Sequence, residues 1–296
     1  MTPAATLTAA IAGERRALAR SLSLFENGEL TNSKLMAIIE SQGETLDSTV
    51  LGITGAPGVG KSCLINRVVQ SWSEQGHRVA VIAVDPTSPI TGGALLGDRI
   101  RMSNADSEDN VFFRSIATRK HGGSVPSVVR GMLEILAACG WSRCIVETVG
   151  AGQGEIRVAA VADRIVLVEA PHRGDSVQAE KAGLIELADL IVINKSDLDG
   201  AIKTADEIRH ALEAASIPTP PILLASATTG DGVEALIESI DSLKVSDFAA
   251  RTRARESMRA AWDMCLLNSP NFEEQIENIV AGNTTIDEAI EKLRDD

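Results

Sequence analysis

Residues 55–62 read Gly55-Ala56-Pro57-Gly58-Val59-Gly60-Lys61-Ser62 and match the pattern Gly-x-x-x-x-Gly-Lys-Ser/Thr of a phosphate-binding loop. A strand-like apolar run precedes the match at 50–54, and a helical stretch follows it from Cys63 onward. Glycines allow the backbone N–H groups to converge on phosphate oxygens, and the start of the following helix adds partial positive charge. An ordinary glycine-rich turn is the alternative interpretation. The flanking strand and helix instead favour a nucleotide site, in which Lys61 reaches the β- and γ-phosphates and Ser62 holds Mg²⁺.

Outward from this loop, short apolar runs alternate with helical patterns between residue 49 and about residue 245. Such alternation is typical of βαβ units. It predicts an α/β fold, with a mostly parallel sheet of about seven strands covered by helices on both faces. The predicted strands are 50–54, 79–84, 111–114, 144–147, 165–169, 190–193 and 222–225.

Helical patterns also flank this region on both sides. Apolar residues recur at helical spacing before residue 46, and helical patterns return after residue 247 with a break at Gly282-Asn283. We therefore expect an N-terminal helical extension at 1–46, a P-loop nucleotide domain at 47–246 and a C-terminal helical extension at 247–296.

The composition argues against several classes of protein. The formal net charge is −13, and an acidic surface repels the phosphate backbone of nucleic acids. No apolar run approaches the roughly 18 residues of a membrane-spanning helix, and the charged amino-terminal stretch lacks a signal-peptide core. The four cysteines form no Cys-x-x-Cys pair, which is typical of reduced cytosolic thiols. We expect a cytoplasmic protein that binds neither nucleic acid nor membranes.

A second motif indicates which base is bound. The apolar run at 190–193 ends in Asn194-Lys195-Ser196-Asp197, the pattern Asn-Lys-x-Asp. The Asp carboxylate of this pattern accepts hydrogen bonds from N1–H and the 2-amino group of guanine, donors that adenine does not offer in that arrangement. Asn194 and Lys195 are expected to brace the base and the loop. Ser226-Ala227 follows another predicted strand and resembles a loop whose backbone N–H contacts the guanine oxygen. An exposed polar turn would explain Asn-Lys-x-Asp alone, but the two motifs in this order after a phosphate loop predict GTP.

Acidic residues at other strand ends are candidate metal ligands. Glu147 ends the predicted strand at 144–147, and Gly150 follows it. An acid there can hold a water on Mg²⁺, while the glycine approaches the γ-phosphate. Most small GTPases have Asp-x-x-Gly at this place, so Glu-x-x-Gly favours the accessory-protein branch of P-loop GTPases. Asp85 ends the second strand, where it can face the metal. Asp98 opens a predicted helix, and its local sequence fits a metal ligand and a helix cap equally well.

Four longer motifs, together with the loops above, resemble the methylmalonyl-CoA mutase-associated GTPases, also called the MeaB or ArgK family. The resemblance extends from about residue 12 to residue 245, and more weakly to 279–282. The four motifs lie at 85–102, 114–119, 147–153 and 174–183.

The resemblance implies a SIMIBI-type P-loop GTPase that hydrolyses GTP with Mg²⁺. It further implies a chaperone that gates cofactor loading of an adenosylcobalamin-dependent acyl-CoA mutase and protects that mutase from inactivation. It implies a homodimer, assembled with the help of the C-terminal extension. Position by position, it implies a catalytic group of Lys61, Asp98, Glu147 and Gln153. The implied Mg²⁺ ligands are Ser62, Asp85, Asp98 and Glu147, and the nucleotide-binding loop extends to Cys63. The implied partner-coupling loop contains Asp175, Gln178 and Lys181.

Two departures from the family pattern leave the partner open. Residues 117–123 are one residue shorter than in the family, and Pro171-His172-Arg173-Gly174-Asp175 replaces Pro-Gly-Ala-Gly-Asp. Both lie in predicted loops, so the partner can be methylmalonyl-CoA mutase or a related acyl-CoA mutase.

Three other functions are alternatives. A nickel metallochaperone GTPase needs a Cys/His cluster, and the four histidines are scattered with none beside a cysteine. A signal-recognition GTPase needs a Met-rich or basic module, and none is visible. A nucleotide-regulated scaffold with negligible turnover is the non-enzymatic alternative.

Overall fold

The computed structural model describes residues 1–86, 109–118, 125–148, 156, 161–171, 182–267 and 269–294. Seven strands within these ranges form one sheet, in which every neighbouring pair is parallel. The strands are β1 (Thr49–Thr54), β2 (Val79–Pro86), β3 (Val111–Thr118), β4 (Arg143–Thr148), β5 (Arg164–Glu169), β6 (Leu190–Ile193) and β7 (Ile222–Leu224). Their order across the sheet is β3-β2-β4-β1-β5-β6-β7. The predicted fold class is confirmed.

The central strands are buried on both faces, which explains their nearly continuous apolar sequences. In β1, β4 and β5 every residue after the first is buried, and all of β6 is buried. The register aligns Ile53 of β1 with Glu147 of β4, and Thr54 with Leu167 of β5. The carboxyl ends of β1, β4 and β5 therefore meet at one edge of the sheet, where the predicted motifs begin.

Helices cover both faces of the sheet. One face packs with α4 (Lys61–Glu74) and α8 (Val233–Ser242), and the other with α2 (Arg15–Glu26) and α5 (Val125–Ala138). A third apolar cluster joins β6 to α7 (Ala201–Ala214) through residues such as Ile191 and Ile208. A short helix, α6 (Ala182–Leu187), precedes β6.

The N-terminal helices α1 (Pro3–Ile11), α2 and α3 (Asn32–Gln42) share an apolar core with the sheet. Leu7, Leu22 and Leu35 are fully buried in the same cluster as Ile82 of β2 and Val146 of β4. An ion pair of 2.7 Å between Arg114 of β3 and Glu26 of α2 adds a polar tie. The helical character of this segment follows the sequence pattern. The domain boundary at residues 46 and 47 stays a prediction, since these helices and the sheet are packed together.

Three C-terminal helices follow: α9 (Asp247–Leu267), α10 (Phe272–Val280) and α11 (Ile286–Arg294). Arg253 of α9 lies buried against the amino ends of β5 and β6. Its Nη1 forms a 2.6 Å ion pair with Asp189, and its Nη2 donates to the carbonyl of Asp163 at 3.1 Å. Asp189 also accepts the N–H of Ile165 at 2.9 Å. The first C-terminal helix is therefore tied to the sheet by a buried polar network. Several large apolar side chains of this region are exposed: Phe248, Met258, Trp262, Ile276, Val280 and Ile286.

The four cysteines are free. Cys139 and Cys144 are buried, and burial raises the pKa of each thiol to about 12. Cys63 and Cys265 are exposed. None of the helices in the described ranges combines the length and the apolar character needed to cross a bilayer.

Candidate nucleotide-binding site

The phosphate loop connects β1 to α4 and lies against the ends of β5 and β6. A Cβ atom at Gly55 would come within 2.1 Å of the carbonyl oxygen of Val168, and one at Gly60 within 2.3 Å of Asn194 Nδ2. Both glycines also have positive φ angles, 143° and 93°, which other residues rarely adopt. Glycine is thus required at both positions, because the Val168 carbonyl and the Asn194 side chain approach the loop too closely for any other residue.

Lys61 is the first residue of α4 and its ammonium lies inside the loop. Its Nζ donates to the carbonyls of Gly55 at 2.6 Å and Ala56 at 3.2 Å. The side chain is buried although it is charged. A buried ammonium at a helix N-terminus, surrounded by backbone of a glycine-rich loop, forms a favourable place for an anion.

Ser62 and Glu147 meet beside the loop. The Ser62 hydroxyl donates to Glu147 Oε1 at 3.1 Å, and Glu147 is only 1% exposed at the end of β4. Next to them, Thr148 Oγ1 donates to Thr54 Oγ1 at 2.9 Å. Hydroxyl and carboxylate oxygens from two different elements are therefore adjacent, and such oxygens are the ligands that Mg²⁺ prefers. The residues present fit this ion.

Several predicted site residues lie outside the described part of the chain. The backbone of Asp85 belongs to β2 and pairs with Ala117, but its side chain is not among those described. Outside the described ranges are Asp98, Gly150, Gln153, Asp175, Gln178 and Lys181. Their roles stay predictions.

The Asn-Lys-Ser-Asp loop braces the phosphate loop. Asn194 is buried at the end of β6, and its Nδ2 donates to the carbonyl of Val59 at 2.8 Å. Its Oδ1 accepts the backbone N–H of Ala227 at 3.1 Å. Lys195 has a positive φ angle of 60°, and its Nζ donates to the carbonyl of Gly58 at 2.8 Å. Three loops that are distant in sequence thereby form one unit.

Asp197 is exposed, and a buried hydroxyl orients it. Ser226 Oγ donates to Asp197 Oδ1 at 2.5 Å. Ser226 is itself fixed, because its backbone N–H donates to the carbonyl of Asp231 at 2.8 Å and its Oγ accepts the N–H of Thr229 at 3.2 Å. The carboxylate is thus positioned beside the Ser226-Ala227 loop.

Arg67 belongs to none of the sequence motifs, and the structure brings it to this site. It lies on α4, and its Nε donates to the carbonyl of Ala227 at 3.0 Å. A 160-residue separation in the chain left no local signal by which the sequence could have revealed the contact.

The described ranges contain no group of three or more His, Cys, Asp or Glu side chains arranged to hold a metal ion.

Comparison with known proteins agrees with the geometry. The sequence profile of the family "Methylmalonyl Co-A mutase-associated GTPase MeaB" matches residues 18–282. A protein of Pyrococcus horikoshii, a candidate GTPase by name, is 40% identical over 277 residues, which are 91% of this chain and 83% of that protein. The GTPase ArgK of Escherichia coli is 34% identical over 284 residues, covering 91% of this chain and 83% of ArgK.

A third relative is named as a fused mutase. The fused isobutyryl-CoA mutase of Cupriavidus metallidurans is 38% identical over 199 residues, which are 66% of this chain and 18% of the fused protein.

Solved structures give the same fold. A crystal structure described as a LAO/AO transport system kinase superposes with a TM-score of 0.67 at 25% identity, covering 99% of this chain and 97% of that one. The hydrogenase maturation factor HypB of Archaeoglobus fulgidus has a TM-score of 0.52 at 23% identity over 73% of this chain and 98% of its own, a likeness of fold alone. Profile, relatives and site geometry agree: the chain belongs to the MeaB family of methylmalonyl-CoA mutase-associated GTPases, P-loop enzymes that hydrolyse GTP to GDP and phosphate.

Proposed function

We propose that this GTPase binds GTP with Mg²⁺ at the site above and gates cofactor loading and protection of an adenosylcobalamin-dependent acyl-CoA mutase. The observation that carries the nucleotide part is the direct bracing of the phosphate loop by Asn194 and Lys195, through bonds of 2.8 Å each. Phosphate and base contacts then belong to one rigid unit. Such preorganisation lowers the entropy cost of holding a nucleotide.

The phosphates would lie in the loop from Gly55 to Cys63. There the backbone N–H groups and the helix N-terminus provide positive potential. Lys61 would exchange its two backbone carbonyl acceptors for phosphate oxygens. The ammonium would then stabilise negative charge that develops on the transferred phosphoryl group.

Ser62 and Glu147 would hold Mg²⁺, and we assign Asp85 and Asp98 to the same group. The bound ion supplies positive charge to the phosphate oxygens. Glu147 sits at a buried strand end, so it can orient a water on the ion. Gly150 and Gln153 follow Glu147 in the chain, and we assign them to contacts near the γ-phosphate.

Guanine would be read by Asp197 and by a backbone N–H of the loop that begins with Ser226-Ala227. The N–H groups of Ser226 and Ala227 already donate to Asp231 and Asn194, so we assign this contact to the N–H of Thr228. The bond from Ser226 Oγ uses one oxygen of the carboxylate, so the remaining lone pairs can accept N1–H and the 2-amino group. The hydroxyl thereby orients the acid without neutralising it.

Two observations support an acyl-CoA mutase as the partner. The family is described as mutase-associated, and a fused relative carries the matching region in the same polypeptide as an isobutyryl-CoA mutase. Fusion keeps two modules at a high effective concentration, an arrangement expected of partners that act on each other.

The loop that contains Asp175, Gln178 and Lys181 is our candidate for coupling nucleotide state to the mutase. It follows β5, whose carboxyl end lies beside the phosphate loop, and precedes α6. An activating partner can act only through contacts that differ between nucleotide states, and a loop in this position is suited to such contacts. We further propose a homodimer, supported by the exposed apolar side chains of the C-terminal helices.

The test measures GTP hydrolysis with and without a cobalamin-dependent acyl-CoA mutase, using the methylmalonyl- and isobutyryl-CoA enzymes in parallel. Replacing Asp175, Gln178 and Lys181 with Ala together should leave intrinsic hydrolysis within about twofold and abolish stimulation by the mutase. A control triple replacement of Lys203, Asp206 and Glu207, exposed residues of α7, should be stimulated like the parent protein.

Two outcomes would contradict the proposal. If neither mutase stimulates hydrolysis by the parent protein, the assignment of the partner is wrong. If the loop variant is stimulated as strongly as the parent, this loop is a connector and coupling occurs elsewhere.

A further inference from the structure

Arg67 links α4, which begins at the phosphate loop, to the Ser226-Ala227 loop, which we propose to contact the guanine base. α4 begins with Lys61 and Ser62, and Arg67 follows less than two turns later on the same helix. Its Nε donates to the Ala227 carbonyl at 3.0 Å and its Nη2 to the Thr228 carbonyl at 3.5 Å. One rigid element thereby contacts both halves of the nucleotide site.

The hydrogen bonds from Arg67 fix the orientation of peptide groups in the Ser226-Ala227 loop. Asn194 Oδ1 holds the N–H of Ala227, and Arg67 holds the carbonyl of the same residue. A peptide group is planar and trans, so its C=O and the following N–H point in opposite directions. Fixing the Ala227 carbonyl towards α4 therefore directs the N–H of Thr228 away from α4. Both peptide planes flanking Ala227 are held from outside the loop.

We infer that Arg67 is a positioning residue for recognition of the 6-oxo group of guanine, acting through the Ser226-Ala227 loop. This inference rests on the proposed base site. Arginine suits the task because its planar guanidinium presents several donors in a fixed geometry, so it can hold two carbonyls of one loop. A lysine at this position would offer a point charge on a flexible stem and hold the loop less firmly.

The affinities of three nucleotides distinguish a role of Arg67 in recognising the 6-oxo group from a general effect on the stability of the fold. The dissociation constants of GDP, 6-thio-GDP and IDP are measured by calorimetry for the full chain, in the parent protein and in Arg67→Met. 6-Thio-GDP differs from GDP only at the 6-oxo group, where sulfur is a weaker hydrogen-bond acceptor than oxygen. IDP lacks the 2-amino group that Asp197 is proposed to read. The parent should prefer GDP to 6-thio-GDP by about tenfold, and Arg67→Met should reduce that ratio to about twofold. The ratio of GDP to IDP should be unchanged, because Ser226 still orients Asp197.

Arg164→Met is the matched control. Arg164 also donates to two backbone carbonyls, those of Ile240 at 2.9 Å and Asp241 at 3.4 Å. Both carbonyls lie at the end of α8, and neither belongs to the Ser226-Ala227 loop. Its replacement should leave both nucleotide ratios as in the parent. Arg67→Lys should recover part of the preference for GDP over 6-thio-GDP, and it also serves if Arg67→Met does not fold.

Each remaining outcome decides against the inference. If Arg67→Met and Arg67→Lys both prefer GDP to 6-thio-GDP as strongly as the parent protein does, the Ser226-Ala227 loop keeps its conformation without Arg67. An equal loss in Arg164→Met would show general loosening of the fold. A parent protein that discriminates against neither 6-thio-GDP nor IDP would overturn the base site, and the role of Arg67 with it.

Discussion

Lys61 and Ser62 are adjacent in sequence, yet their side chains face different groups. The ammonium of Lys61 contacts loop carbonyls, while the Ser62 hydroxyl contacts Glu147. Lys61→Ala should therefore weaken GTP binding and hydrolysis at every Mg²⁺ concentration, because a buried charge for the phosphates is lost. Ser62→Ala should raise the Mg²⁺ concentration needed for half-maximal hydrolysis by about tenfold, because it removes one of the oxygens that we propose as Mg²⁺ ligands.

Hydrolysis measured across a Mg²⁺ titration checks both variants. Ser71→Ala, farther along the same helix, is the control and should titrate like the parent protein. Excess Mg²⁺ should restore Ser62→Ala alone. If it restores both variants equally, or neither, the separate roles are incorrect.

Residues inside motifs could be identified from the sequence, and residues outside them could not. The bracing by Asn194 and Lys195 follows from a pattern that encodes its own geometry. The contact of Arg67 with Ala227 joins elements that become neighbours only when the sheet is assembled. Likewise, nothing local to Ser226 indicates that it orients Asp197, 29 residues away.

At the scale of elements, apolar runs located all seven strands but not every strand end. The run at 111–114 predicted the start of β3, whereas the strand continues to Thr118 and pairs with β2 throughout. The added residues include Ser115 and Thr118, which interrupt the apolar run although their backbone is paired. Strand order is also absent from such patterns, since it depends on which helices cross which face of the sheet.

The buried ion pair of α9 leads to a prediction about stability. The Asp189 carboxyl is buried, and Arg253 is its cationic partner at 2.6 Å. Arg253→Met should lower the free energy of unfolding at pH 7 by about 3 kcal/mol, because the carboxylate is left buried without its cation. Urea denaturation of the full chain measures this loss. Arg259→Met on the same helix, which breaks an exposed pair with Glu256, should change little.

The loss should also depend on pH. Burial raises the pKa of Asp189, and Arg253 opposes that rise. Removing Arg253 therefore raises the pKa further. A carboxyl whose pKa is raised by folding stabilises the fold most at low pH, and this contribution is lost as pH rises through the folded-state pKa. The deficit of Arg253→Met should be smaller near pH 4 than near pH 7. An equal deficit at both values, or no recovery on adding Asp189→Asn, would contradict an electrostatic cause.

For the whole molecule, the proposed dimer gives a direct test. Phe248, Met258 and Trp262 lie within about 80° of one another around the axis of α9, given 100° per residue. All three are exposed, Met258 by 73%. Met258→Glu places a charge in this stripe and should convert a dimer to a monomer, because desolvating an unpaired carboxylate opposes association.

Light scattering after size exclusion measures the mass. Ile202→Glu is the control, since Ile202 is 68% exposed on α7 of the nucleotide domain and lies outside the C-terminal helices. A parent protein with the mass of one chain would contradict the dimer. A Met258→Glu variant that keeps the mass of two chains would place the interface elsewhere.

The parallel sheet also determines when during synthesis the protein can bind nucleotide. β1 carries the phosphate loop, but its two neighbours, β4 and β5, are made roughly a hundred residues later. The loop is moreover braced by Asn194, which itself contacts Ala227. Non-local pairings of this kind form late, because a long segment must close before any contact compensates for the lost entropy. A nascent chain shorter than about 230 residues thus lacks part of the site. Capture of guanine nucleotide then reports that β1 and the elements synthesised after it, as far as Ala227, have been brought together.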